Sequence, residues 1–204
     1  MILLLLILSY SFYAEAWKKA HPLVDGTIDD FRAKLEILHR TMSARYTPVV
    51  ERLQKDMDQA ISQMPWVLTH QDLASMNMLV DTDTGRLTGI ADWVDADIEP
   101  FGMALWGLED ILGSSGPDGW SWVGDTAPLR SVFREAFFAE IGERLSDEKC
   151  IAIDQVRDLG LLLRWGFMWS EADGARMPVE ESHYLDAFLG TSEFISLKQD
   201  LACH

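Results

Sequence analysis

The sequence is poor in cysteine, in positive charge and in long apolar runs, and each shortage excludes a class of protein. Two cysteines, Cys150 and Cys203, in 204 residues make no disulfide framework. A reducing compartment fits, with Cys150 as a small buried hydrophobe. Lys and Arg number 17 against 33 Asp and Glu, a formal net charge of −16. Such a surface repels phosphate backbones, so nucleic acid is excluded as a partner. The apolar run Ile2 to Leu8 is too short to span a bilayer, so no membrane partner is expected. The five histidines, at 21, 39, 70, 183 and 204, show no zinc-ligand spacing. There is no repeat, low-complexity segment or clear linker. What remains is an apolar, Trp-rich chain long enough for one globular domain over residues 1–204.

The N-terminal stretch admits two readings. Ala14-Glu15-Ala16 resembles a cleavage site, which would make residues 1–16 a secretion signal. However, no Lys or Arg precedes the apolar run, as a secretory leader requires. An interior helix is the preferred reading, with Phe12, Tyr13 and Trp17 on its buried face and Lys18-Lys19 at its C-terminal dipole end. The expected localisation is cytoplasmic.

Helical spacing then recurs. Ile28, Phe31, Leu35, Leu38 and Met42 follow a cap at Asp25-Gly26-Thr27. Thr47-Pro48 opens a second stripe, from Val49 to Met64, which Pro65 stops. Residues 66–70 read as a short strand entering a loop, and Met78 to Asp81 and Arg86 to Asp92 as a hairpin turning at Gly85. Further helices are expected over Phe101 to Leu112, from Thr126 to Ile141, from Ser146 to about Trp169, and from Pro178 to Leu189. The Gly- and Ser-rich segment 113–125 reads as loop. The expected fold class is mostly α with a small β-hairpin.

The chemistry concentrates in "HQDLASMNMLVDTDTGRLTGIADW". Asp72 and Asn77 lie five positions apart on a loop, and Asp92 returns at the end of the hairpin that begins at Asn77. A hairpin brings its ends together, so the three can face one pocket. One amide and one carboxylate oxygen suit Mg²⁺, which keeps several waters and phosphate oxygens in its shell. The remaining carboxylate, Asp72, can accept a proton or orient a hydroxyl, the division of labour that phosphoryl transfer requires. The alternative is that Asp72 and Asn77 are turn formers and Asp92 a strand-end cap. Asp95, Asp97 and Glu99 read as a solvated loop, with Asp95 near enough to touch a metal's waters. Trp106, Trp120, Trp122, Trp165 and Trp169 read as core or rim.

These residues resemble a known family. "HQDLASMN" followed by "GIADW" is similar to the His-x-Asp-x-x-x-x-Asn and Ile-x-Asp-Trp motifs of the aminoglycoside phosphotransferase/choline kinase group. "DADIEPFGMALWGLEDILG" resembles that group's fungal branch. The resemblance implies a protein-kinase-like fold and transfer of phosphate from ATP to a hydroxyl of a small-molecule substrate, in a branch compatible with secondary metabolism. It implies Asp72 as catalytic base, Asn77 and Asp92 as Mg²⁺ ligands, and His70 as structural support of the loop.

The chain also departs from the pattern. No strand-rich segment precedes the motif, only Gly26 precedes Gly85, and Lys18, Lys19, Lys34 and Lys55 fall on expected helices. The expectation is therefore the C-terminal (large) lobe alone, small lobe missing. Transfer depends on preorganised electrostatics, so activity and ATP binding would be weak or lost. A surface where the small lobe would dock then invites a protein partner or self-association. The rival reading is a non-catalytic, kinase-like binding module.

Overall fold

A computed structural model describes residues 2–84 and 87–189, and side chains from residue 10 onward. The apolar side chains of Ile2 to Leu8, and Gly85, Arg86, Cys203 and His204, lie outside that description.

Three helices lead the chain: α1 (Ile2–Lys18), α2 (Thr27–Thr41) and α3 (Thr47–Ser62). On α1, Tyr13 is buried and its hydroxyl donates to the Ala104 carbonyl at 2.9 Å. The rings of Tyr13 and Trp17 meet Phe133, Phe101 and Phe137 edge-on, fixing α1 against the later helix α5 (Ala127–Ile141). On α2 the buried positions are Phe31, Leu35 and Leu38. Its N-cap is Gly26, at φ 85 with no side-chain cap, so Asp25 does not serve that role. Pro48 occupies the first turn of α3, which buries Val50, Leu53, Met57, Ala60 and Ile61.

Where one β element was expected, four two-stranded antiparallel ladders form among the described residues. The first joins β1 (Trp66–Thr69) to β4 (Asp97–Pro100), with β2 (Met78–Val80) and β3 (Leu87–Ile90) paired inside it. Glu99 is thus a buried strand residue opposite Val67, not part of a solvated loop; Asp95 and Asp97 are exposed. The expected helix from Phe101 starts late. Residues 101–106 form turns and α4 (Gly107–Leu112) follows, because Gly102 takes φ 116 against Val156, where an added Cβ would sit 3.0 Å away. The expected loop after it is the hairpin β5 (Gly113–Gly116) and β6 (Gly119–Trp122), whose Trp120 and Trp122 pack on Phe188.

The longest helix, α6 (Asp147–Trp165), is capped by the Ser146 hydroxyl, which accepts from the Lys149 N–H. It ends earlier than its apolar spacing implied. Strands β7 (Phe167–Ser170) and β8 (Ala175–Pro178) turn back on it, and the Arg176 guanidinium donates to the carbonyls of Leu163, Arg164 and Phe167. Pro178 therefore ends a strand, and α7 (His183–Phe188), the last helix among the described residues, begins with Ser182 as its cap. Helices still dominate, so the mostly-α reading holds at that level.

Beneath α4, fully buried Glu109 accepts from Arg130 of α5 through both oxygens, at 2.9 and 2.5 Å, and from Arg157 of α6. Arg157 also donates to the Phe188 carbonyl of α7. One carboxylate thus joins three helices, in a setting where the charges must be mutually satisfied.

Candidate active site

The nested ladders place two connecting segments side by side. Thr69 pairs with Asp97 at the end of the outer ladder, and Met78 with Ile90 at the start of the inner one. Residues 70–77 and 91–96 are the spans between them. The Ala91 N–H donates to the Asn77 carbonyl at 2.9 Å, so Asp92 follows directly on the residue bonded to Asn77.

His70 is completely buried. Its Nε2 donates to the Ala91 carbonyl at 2.8 Å, and its ring lies edge-on to Trp93 with centroids 4.7 Å apart. The Trp93 indole donates to the Ile90 carbonyl at 2.8 Å. His70 thereby ties the two segments together. The Asn77 Nδ2 donates to the Asp72 carbonyl at 2.8 Å and to Asp72 Oδ2 at 3.2 Å. Both bonds use the amide nitrogen, which leaves the carboxamide oxygen as the atom able to ligate a cation. Asp92 is exposed and sits at φ 60. Gln71, immediately before Asp72, sits at φ 63. These are the two non-glycine residues with positive φ among the described residues, a conformation that costs about 1–3 kcal/mol and collects at working sites.

Three supports came without any signal in the local motif. Arg164 of α6 places Nη2 2.6 Å from Asp72 Oδ1. Asp110 of α4 accepts the Ser75 N–H at 2.8 Å. Gly107 lies so close to the Leu73 carbonyl that an added Cβ would come within 2.5 Å of its oxygen. Gly107 and Asp110 fall in the quoted "WGLEDILG" stretch, where their spacing of three marks one helix face. Nothing near Arg164 in sequence points to Asp72.

Beside the loop opens a cavity of about 720 Å³, walled by Phe31, Lys34, Gln71, Glu99, Trp106 and Arg164 among others. Glu99 is its most unusual group. Burial pushes this carboxyl up to about 7, against a hydrogen bond from Gln71; the charge of Asp97 adds to the rise and Lys34 opposes it.

Among the described residues, no group of three or more His, Cys, Asp or Glu could hold a metal by itself. The Asn77 amide oxygen with the Asp92 carboxylate is a sparser donor set. It fits an ion such as Mg²⁺, which takes few protein ligands. Among the described residues no helix is long and apolar enough to cross a membrane.

Compared with known proteins, residues 10–140, well over half of the chain, match the family model described as the phosphotransferase enzyme family. The matched span contains His70, Asp72, Asn77 and Asp92, and ends before α6. No curated protein matches.

Proposed function

The chain belongs to the phosphotransferase enzyme family, and from that premise we propose that it carries the catalytic-loop lobe of a kinase-like small-molecule phosphotransferase. ATP and Mg²⁺ are used in general across the family. The acceptor is a hydroxyl compound held in the cavity beside Asp72, in a fungal-type branch compatible with secondary metabolism. The observation that carries this reading is the joining of segments 70–77 and 91–96, with Asp72 bonded to Asn77 and Asp92 one residue beyond the Asn77–Ala91 bond.

Asp72 accepts a hydrogen bond from the acceptor hydroxyl and turns its oxygen toward the γ-phosphorus. The new bond joins that oxygen to phosphorus, the bond to the bridging oxygen of ADP breaks, and the hydroxyl proton passes to Asp72. Asn77 and Asp92 would hold Mg²⁺, which neutralises charge on the nucleotide phosphates. His70 keeps the two segments in register. Helices α1–α3 precede the motif among the described residues, with no strand-rich wall to clamp the nucleotide.

Replacing Asp72 with Asn is expected to lower phosphate transfer from Mg·ATP by about 10²–10⁴-fold while the thermal midpoint barely moves. Labelled-phosphate transfer measured beside thermal unfolding checks this, and an unaltered rate rules out the assigned role.

A second reading has its own support. Met76, Leu79, Trp93 and Val94 are exposed on the hairpin and its flanking segments. We propose that this face receives a protein partner or a second copy of the chain. In a purely non-catalytic protein the same face would be the functional one.

A further inference from the structure

We infer that Arg164 is a positioning residue for Asp72, aligning the carboxylate with an acceptor held in the adjoining cavity. This rests on the phosphotransferase reading but goes beyond the matched span, because Arg164 lies on α6, after residue 140.

Both Asp72 oxygens are engaged. Arg164 Nη2 holds Oδ1 at 2.6 Å and Asn77 Nδ2 meets Oδ2 at 3.2 Å. A carboxylate has about four acceptor sites, so two contacts fix its plane and still leave room for a hydroxyl. The guanidinium is itself confined. Its Cζ lies 5.1 Å from the Trp106 ring centre and 5.2 Å from that of Trp165. Asp72 is the carboxylate that Arg164 pairs with among the described residues. The Arg164 Nε is buried without a hydrogen-bond partner. The pair is also only partly covered, with side chains 34% and 32% exposed, and Arg164 forms part of the cavity wall. Gln71, the residue before Asp72, lines the same cavity, so an acceptor held there lies beside the guanidinium that holds Asp72 Oδ1. A guanidinium is suited to the task because it stays charged and planar.

The test uses the 204-residue protein, Mg·ATP, and water as the acceptor. Misplacing a catalytic group by about 1 Å can cost about a hundredfold in rate. Arg164→Met is expected to lower kcat by about that factor with the KM for ATP within about twofold, and Arg164→Lys to recover about tenfold of the loss. Independently of turnover, NMR exchange of the Asn77 carboxamide protons should quicken in Arg164→Met while backbone amides of α6 keep their protection. An unchanged kcat in Arg164→Met, with Asp72→Asn inactive, overturns the inference and leaves the phosphotransferase reading standing. Turnover that does not depend on Asp72 removes that reading, and where no turnover is seen the exchange experiment decides alone. Unchanged Asn77 exchange, or equal loosening throughout α6, overturns the positioning role.

Discussion

Glu99 shows what a single residue can reveal once its surroundings are known. In sequence it is the last of three acids in a polar stretch; in the fold it is a buried strand residue on the cavity wall. Its carboxyl is pushed up to about 7 from a usual 4.5, so the folded protein retains a proton that the unfolded chain has released. The sign follows from that difference. The contribution of this group to stability is complete below about pH 4.5 and lost as pH rises through about 7. The shift corresponds to about 3 kcal/mol. Glu99→Gln keeps the shape and removes the titration. We expect it to flatten the decline of unfolding free energy across that window and to be the more stable protein at pH 8, as urea titrations at several pH values would register. A variant with the wild-type pH profile would show that Glu99 does not carry the effect.

Among elements, α4 governs the site although it contributes no proposed catalytic group. Its first residue, Gly107, allows close approach to the Leu73 carbonyl, and Asp110, one turn on, holds the Ser75 N–H. A methyl at 107 meets the Leu73 backbone at 2.5 Å, so the loop or the helix must shift. Gly107→Ala should therefore reduce turnover by about a hundredfold, the scale of a 1 Å displacement, and shift the backbone NMR signals of residues 70–77. Signals that stay in place would mean that the helix yields instead of the loop. The expected helix over 101–112 missed this arrangement. Apolar spacing from Phe101 to Leu112 is continuous, and it does not encode the left-handed turn at Gly102 or the packing against Val156 that imposes it.

At the scale of the whole molecule, the net charge of −16 and the exposed apolar side chains around the hairpin act in opposite senses. Like charge keeps copies apart, most strongly at low ionic strength, while the apolar face favours association. Raising salt should therefore increase self-association, and exchanging Met76 and Val94 for Ser should abolish it; sedimentation velocity at low and high salt separates these outcomes. Salt-independent monomer would remove self-association and leave a different protein as the occupant.

The linear sequence determined the helices at α1–α3, α5 and the start of α6, because their apolar residues recur at the helical period and Pro48 and Ser146 mark the starts. It also determined that Asn77 and Ala91 come together, since a hairpin joins its own ends. The roles of Asp72, Asn77 and Asp92 were read from motif chemistry and stand as proposals, the first of which Asp72→Asn tests. The tertiary structure alone decided the pairing of β1 with β4, the burial of Glu99 and the approach of Arg164 to Asp72. Those depend on residues about 30 to 90 positions apart meeting through packing, and no local periodicity carries that information.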